Sequence, residues 1–159
     1  MSFSKSFKYG VLANKRPVAL FYTVVIALYL VFIITSFFLP GGSISGMDMS
    51  SLIFLFVFGI TSFKENFYML LQNGVSRKNM FLGTILSLFA ISVFVAVVDT
   101  ALALMLELAP IENFTLSSLF QQVYGMTQYR NSSTFAVCLH EIAWNSMMKF
   151  ALAIIGLFI

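Results

Sequence analysis

Charge is what this sequence has least of. Nine lysines and arginines and six acids make up 9% of its 159 residues, against about 25% in a soluble domain. So few ionic groups cannot cover a water-facing surface, which excludes an ordinary soluble globule. Cysteine occurs once, at Cys138, so an internal disulfide framework and a cysteine metal site are excluded, and Cys138 reads as a small apolar filler. Proline occurs three times, and Pro17, Pro40 and Pro110 each stand at the edge of an apolar run, where proline marks a helix start or stop. No Gly-x4-Gly-Lys-Ser/Thr phosphate loop is present, so the chain is not expected to bind ATP itself. A Ser-His-Asp set, paired carboxylates and a His-Glu-x-x-His motif are also missing, so no enzymatic activity and no metal site are expected. Internal repeats and low-complexity tracts are absent too.

What is present is hydrophobic. Apolar residues make up 60% of the chain, and the mean hydropathy is +0.95. The expected fold is all-α, a polytopic transmembrane helical bundle forming one domain over residues 1–159. Each span needs roughly 20 apolar residues. Four runs answer, at about 17–39, 49–63, 80–108 and 142–159. The first carries no charge and ends at Pro40-Gly41-Gly42. It is too long for the apolar core of a signal peptide, and no small-x-small cleavage site follows it. The second is short and ends at Lys64, so its ends should reach into the interface or the bilayer should thin.

The remaining segments are more polar. Residues 1–16 carry Lys5, Lys8, Lys15 and Arg16 and no acid. Phe3, Phe7 and Val11 repeat at a four-residue step, which predicts a short amphipathic helix lying at the membrane interface. Leu116, Leu119, Phe120 and Val123 fall on one helical face, which predicts a surface helix before the last run. The net charge of +3 does not point to nucleic acid, because the basic residues flank apolar runs and form no stripe with interleaved aromatics. If the amino terminus is cytoplasmic, Lys5, Lys8, Lys15, Arg16, Lys64, Arg77 and Lys78 all fall inside and only Arg130 falls in an outer loop. That distribution satisfies the positive-inside rule.

The segment between the second and third runs reads Ser62-Phe-Lys-Glu-Asn-Phe-Tyr-Met-Leu-Leu-Gln-Asn-Gly-Val-Ser-Arg-Lys-Asn-Met-Phe-Leu-Gly83. Phe67, Leu70 and Leu71 share one helical face, Asn73-Gly74 is a break signal, and Ser76 suits the cap of the next helix. Here the sequence resembles the permease subunits of ABC-2 type ABC transporters, in the form found in Gram-positive bacteria. In that family a short helix with an acidic start follows the second span, then a turn of the form small-Val-Ser-Arg, then the third span. Glu65, Leu70, Leu71, Gly74, Val75, Ser76 and Arg77 fit the pattern, with Gly74 where proline often stands. The resemblance also takes in the basic amino terminus and the spacing of the four runs. It implies that residues around Glu65, Phe67, Leu70, Leu71, Gly74, Val75, Ser76 and Arg77 form a coupling helix that contacts a separate ABC ATPase. ATP and Mg would be bound by that subunit, and a second permease subunit, identical or related, would complete the transporter. It further implies six spans. The last run stops at Ile159 with no polar anchor, so the sequence is expected to be cut inside a longer protein. The bland reading of 64–78 is a cytoplasmic loop whose Arg77 and Lys78 anchor a span to lipid phosphates. The corresponding alternative for the chain is a non-transport helical membrane protein, such as an assembly factor or sensor partner.

Asp99, Glu107 and Lys149 interrupt apolar runs, and of these Asp99 and Lys149 lie deepest. A carboxylate inside a span costs roughly 2.5–3.5 kcal/mol, so such residues face protein or water. At about 1.5 Å per residue, Asp99 is roughly 12 Å and Lys149 roughly 10 Å from the outer ends of their runs. The two runs are antiparallel neighbours, so an Asp99–Lys149 pair is expected, as a structural lock or as part of a substrate path; the alternative is an Asp99 that is simply protonated. His140-Glu141 reads as an interfacial polar cap. Asn113-Phe-Thr115 and Asn131-Ser-Ser133 match glycosylation sequons, which carry no meaning in a bacterial protein.

Overall fold

The computed structural model describes residues 3–38, 43–45, 47–72, 74, 76–107, 115–117, 123 and 134–159. In chain order these form helix α1 (Phe3–Ala13), helix α2 (Lys15–Phe38), strand β1 (Ser43–Ser45), helix α3 (Met47–Gln72), helix α4 (Arg77–Glu107), strand β2 (Thr115–Ser117) and helix α5 (Thr134–Leu157). The strands pair in parallel, with Ile44 opposite Leu116. Leu116, expected on a surface helix, therefore sits on a strand; residues 118–122 lie outside the described set.

Two stretches among the described residues are long and apolar enough to cross a membrane, Gly10–Thr35 and Arg77–Met105, and the apolar part of α3, Asp48–Thr61, is shorter. Only 17% of the most apolar 18 residues of the first stretch are buried. Leu20, Leu28, Leu30, Val31 and Ile34 are all exposed on it. A core helix of a soluble bundle would hide such residues, and an apolar surface of this extent in water would drive association. Lipid is the solvent it suits.

Helix boundaries follow local chemistry. Pro17 lies in the first turn of α2, where its missing N–H has no intrahelical partner to lose. Its ring also clashes with continuation of α1 through the carbonyl of Ala13. The chain turns at Asn14, whose side-chain amide donates to the carbonyl of Gly10 at 2.7 Å. At the other break, Gly74 adopts φ +69°, a left-handed conformation that glycine enters without a Cβ penalty. Ser76 then caps α4: its hydroxyl accepts the Asn79 N–H at 3.5 Å and its carbonyl accepts that of Met80 at 3.0 Å.

Three expected boundaries move. The second apolar run does not end its helix at Lys64, because α3 continues to Gln72. The short helix expected after it is the last part of α3 and not a separate element. Lys64, Glu65 and Asn66 are polar but not helix breakers, and no glycine or proline intervenes before Gly74. Helix α5 begins at Thr134, eight residues ahead of the expected 142. Helix α1 also does not lie free, since it packs along α4, with Gly10 so close to Ser87 that a Cβ there would sit 2.9 Å from its hydroxyl oxygen.

The contacts fix how the helices run. Gly10 meets Ser87 and Tyr22 meets Asp99, so twelve residues along α1–α2 match twelve along α4, and the two run the same way. Phe81 packs on Phe158 and Phe89 on Phe150, so eight residues forward on α4 match eight back on α5. Those two are antiparallel. The tight turn at Gly74 sends α4 back along α3. The core lies where these helices meet, at Val18, Tyr22, Leu55, Phe58, Leu88, Ile91, Val95, Ala153 and Leu157. The closest approach is between α3 and α5, where Gly59 rests on the backbone of Ala153 and Gly156 on the backbone of Phe56. Small residues there let two backbones touch, the usual route to helix association without a hydrophobic driving force.

Candidate functional site

On α4, the positions Leu88, Ile91, Ser92, Val95 and Ala96 are buried and face the bundle. Asp99 extends that stripe by one turn. On α5, Glu141, Asn145, Lys149 and Ala153 recur every four residues, and all are buried. The two stripes bring Lys149 Nζ to 2.5 Å from Asp99 Oδ2, with the lysine side chain fully buried and the aspartate side chain 10% exposed. From α2, the Tyr22 hydroxyl lies 2.9 Å from Asp99 Oδ1 and 3.0 Å from the Val95 carbonyl oxygen. One hydroxyl proton serves both acceptors. The charged oxygen is the stronger, so the proton points chiefly to Asp99. Each carboxylate oxygen thus has a partner, and three helices meet at one side chain.

The arrangement pairs one cation with one anion, and both carboxylate oxygens of Asp99 are hydrogen-bonded. An ion pair in a low-dielectric interior adds little net stability when intact, but losing one partner strands a charge at a cost of about 3–5 kcal/mol. The described hydroxyls along α4 bond within their own helix. Ser92 donates to the carbonyl of Leu88 at 2.8 Å, Thr100 to Ala96 at 3.0 Å, and Thr84 to Met80 at 3.1 Å. Each satisfies itself on its own helix.

At the other end, Gly74, Ser76, Arg77 and Lys78 are exposed at the α3–α4 turn. The side chains of Glu65, Phe67, Leu70 and Leu71 lie outside the described residues, as does Val75; the backbone carrying the first four is the last part of α3. The turn and the Asp99–Lys149 pair do not meet, because Asp99 is 22 residues into α4, about 33 Å along its axis. His140, expected with Glu141 in an interfacial polar cap, is exposed, while Glu141 is buried. Asn113 and residues 131–133 lie outside the described set.

Asn145 on α5 and Tyr22 on α2 are missing from the sequence reading. The Glu141–Asn145–Lys149 stripe was visible in principle as polar residues at a four-residue step. Tyr22 carried no such signal, being an uncharged residue in a charge-free run. No protein-family model, curated protein or solved structure matches this chain.

Proposed function

We propose that this chain is a membrane-spanning permease subunit of an ABC transporter of the ABC-2 type, acting as an exporter. It crosses the plasma membrane several times with its amino terminus in the cytoplasm, and works with a separate ATPase and a second permease subunit. The observation that supports this best is the α3–α4 turn. The Gly74-Val75-Ser76-Arg77 string falls at a tight helical hairpin, with a left-handed glycine, a serine cap and two exposed cations following it. A long helix ending in such a knob is a rigid lever. Motion applied at the turn would travel along α3 and α4 into the bundle. In sequence, Phe67, Leu70 and Leu71 recur at the helical spacing of a face that seats in a partner's groove.

Co-purification tests it. The nucleotide-binding subunit should be recovered with the wild-type chain and lost with Glu65→Lys or Leu70→Asp. Unchanged recovery in both variants removes the coupling assignment. Cysteine introduced at Gly74, in a Cys138→Ser background, should react with a membrane-impermeant maleimide only after the cell is opened; labelling of intact cells overturns the topology. A second reading, a non-transport helical membrane protein, draws on the closed Asp99–Lys149–Tyr22 cluster, which suits a static lock. Failure of the wild-type chain to recover any nucleotide-binding subunit, with the lock intact, would favour it.

A further inference from the structure

We propose that the cleft between α1–α2 and α4 holds one acyl chain of an anionic phospholipid, with Lys15 drawn to its headgroup. The cleft encloses about 510 Å³, and on the α4 side it is walled by Ala90, Ile91, Phe94 and Val98. On the other side it runs from Val11 to Tyr22. Its polar groups sit toward the amino-terminal part, at Asn14 and Lys15, and Tyr22 bounds the other end. In a bilayer such a gap does not stay empty, because unfilled space forfeits dispersion contacts, and its walls offer water too few partners.

Size selects the occupant. One turn of an α-helix about 10 Å wide fills roughly 420 Å³, so the cleft has room for little more than a single turn of a partner helix. A flexible hydrocarbon chain is narrower. The α4 wall from Ala90 to Val98 gives the cleft a length of about 12 Å, within one leaflet of a ~30 Å hydrocarbon core. Charge selects the headgroup. Lys15 is exposed, stands just before the apolar run that begins at Pro17, and belongs to a segment of 16 residues with four basic side chains and no acid. The proposal needs the bilayer but no ATPase, so it stands or falls apart from the transporter reading.

The test uses the full chain in phosphatidylcholine nanodiscs with Trp144→Phe and Phe94→Trp, which leaves one tryptophan in the cleft wall. A minor fraction of either phosphatidylglycerol or phosphatidylcholine carries brominated acyl chains that quench it. Brominated phosphatidylglycerol should quench at roughly fivefold lower mole fraction, the preference one basic side chain near an anionic surface supports. Lys15→Gln should bring the two lipids together, and Ala19→Phe, which fills the cleft, should weaken quenching by both. Equal quenching in the unmodified cleft means bulk lipid solvates it and overturns the proposal. A preference that survives Lys15→Gln overturns the role of Lys15.

Discussion

The two sides of α4 are held by different physics. Toward α5 and α3 the packing is close: aromatic rings interlock along α4 and α5, and glycines let the α3 and α5 backbones touch. Toward α2 the helices stand apart, leaving a cleft bridged by the Tyr22 hydroxyl and flanked by the Phe21–Phe54 stack, with ring centroids 4.1 Å apart. Close packing needs small residues and spreads its energy over many contacts. A splayed helix depends on a few directional ones. The buried ion pair belongs to both sides, since Asp99 holds α5 with one oxygen and α2 with the other.

That contrast can be broken in three graded ways. Lys149→Met should cost most, about 3–5 kcal/mol, because it strands the Asp99 charge in the interior. Thermal unfolding in detergent, followed by helical circular dichroism, should show it, and the double variant Asp99→Leu/Lys149→Met should recover most of the loss. A double variant as unstable as the single would mean the pair is not an isolated unit. Next, Gly156→Leu should cost about 1–3 kcal/mol by overpacking, and should loosen α3 from α5 while leaving the Tyr22–Asp99 contact intact. Disulfide trapping between cysteines placed on α3 and α5 measures that separation. Smallest is Tyr22→Phe, at about 1 kcal/mol, the size of a side-chain hydrogen bond inside a membrane protein. It should free α2 alone, raising hydrogen exchange at its backbone and sparing α5. Equal protection on both helices would erase the distinction between the two sides.

Much of the helical order was legible in the residues, and the reasons it stopped are physical. Apolar runs and their glycine and proline borders located α2, α3, α4 and α5, because lipid demands long uninterrupted apolar stretches. Asp99 and Lys149 could be related in advance because a charge in an apolar run needs a counterpart and helical rise gives its depth. The end of α3 was misjudged because polarity and helix breaking are separate properties: Lys64 leaves the apolar run but not the helix. Tyr22 was invisible because a phenol costs little in an apolar run, so nothing in its own surroundings asks for a partner. The cleft was equally unreadable, since the distance between two helices depends on what every other helix does.

The small β1–β2 ribbon has a mechanical consequence. It joins the chain leaving α2 to the chain leaving α4, while Gly10 seats against Ser87 near the opposite end. The α1–α2 arm is therefore tethered at both ends and pinned once between them, at Tyr22. Whatever enters beneath such an arm must slide in from the flank, and its departure leaves the two tethers undisturbed.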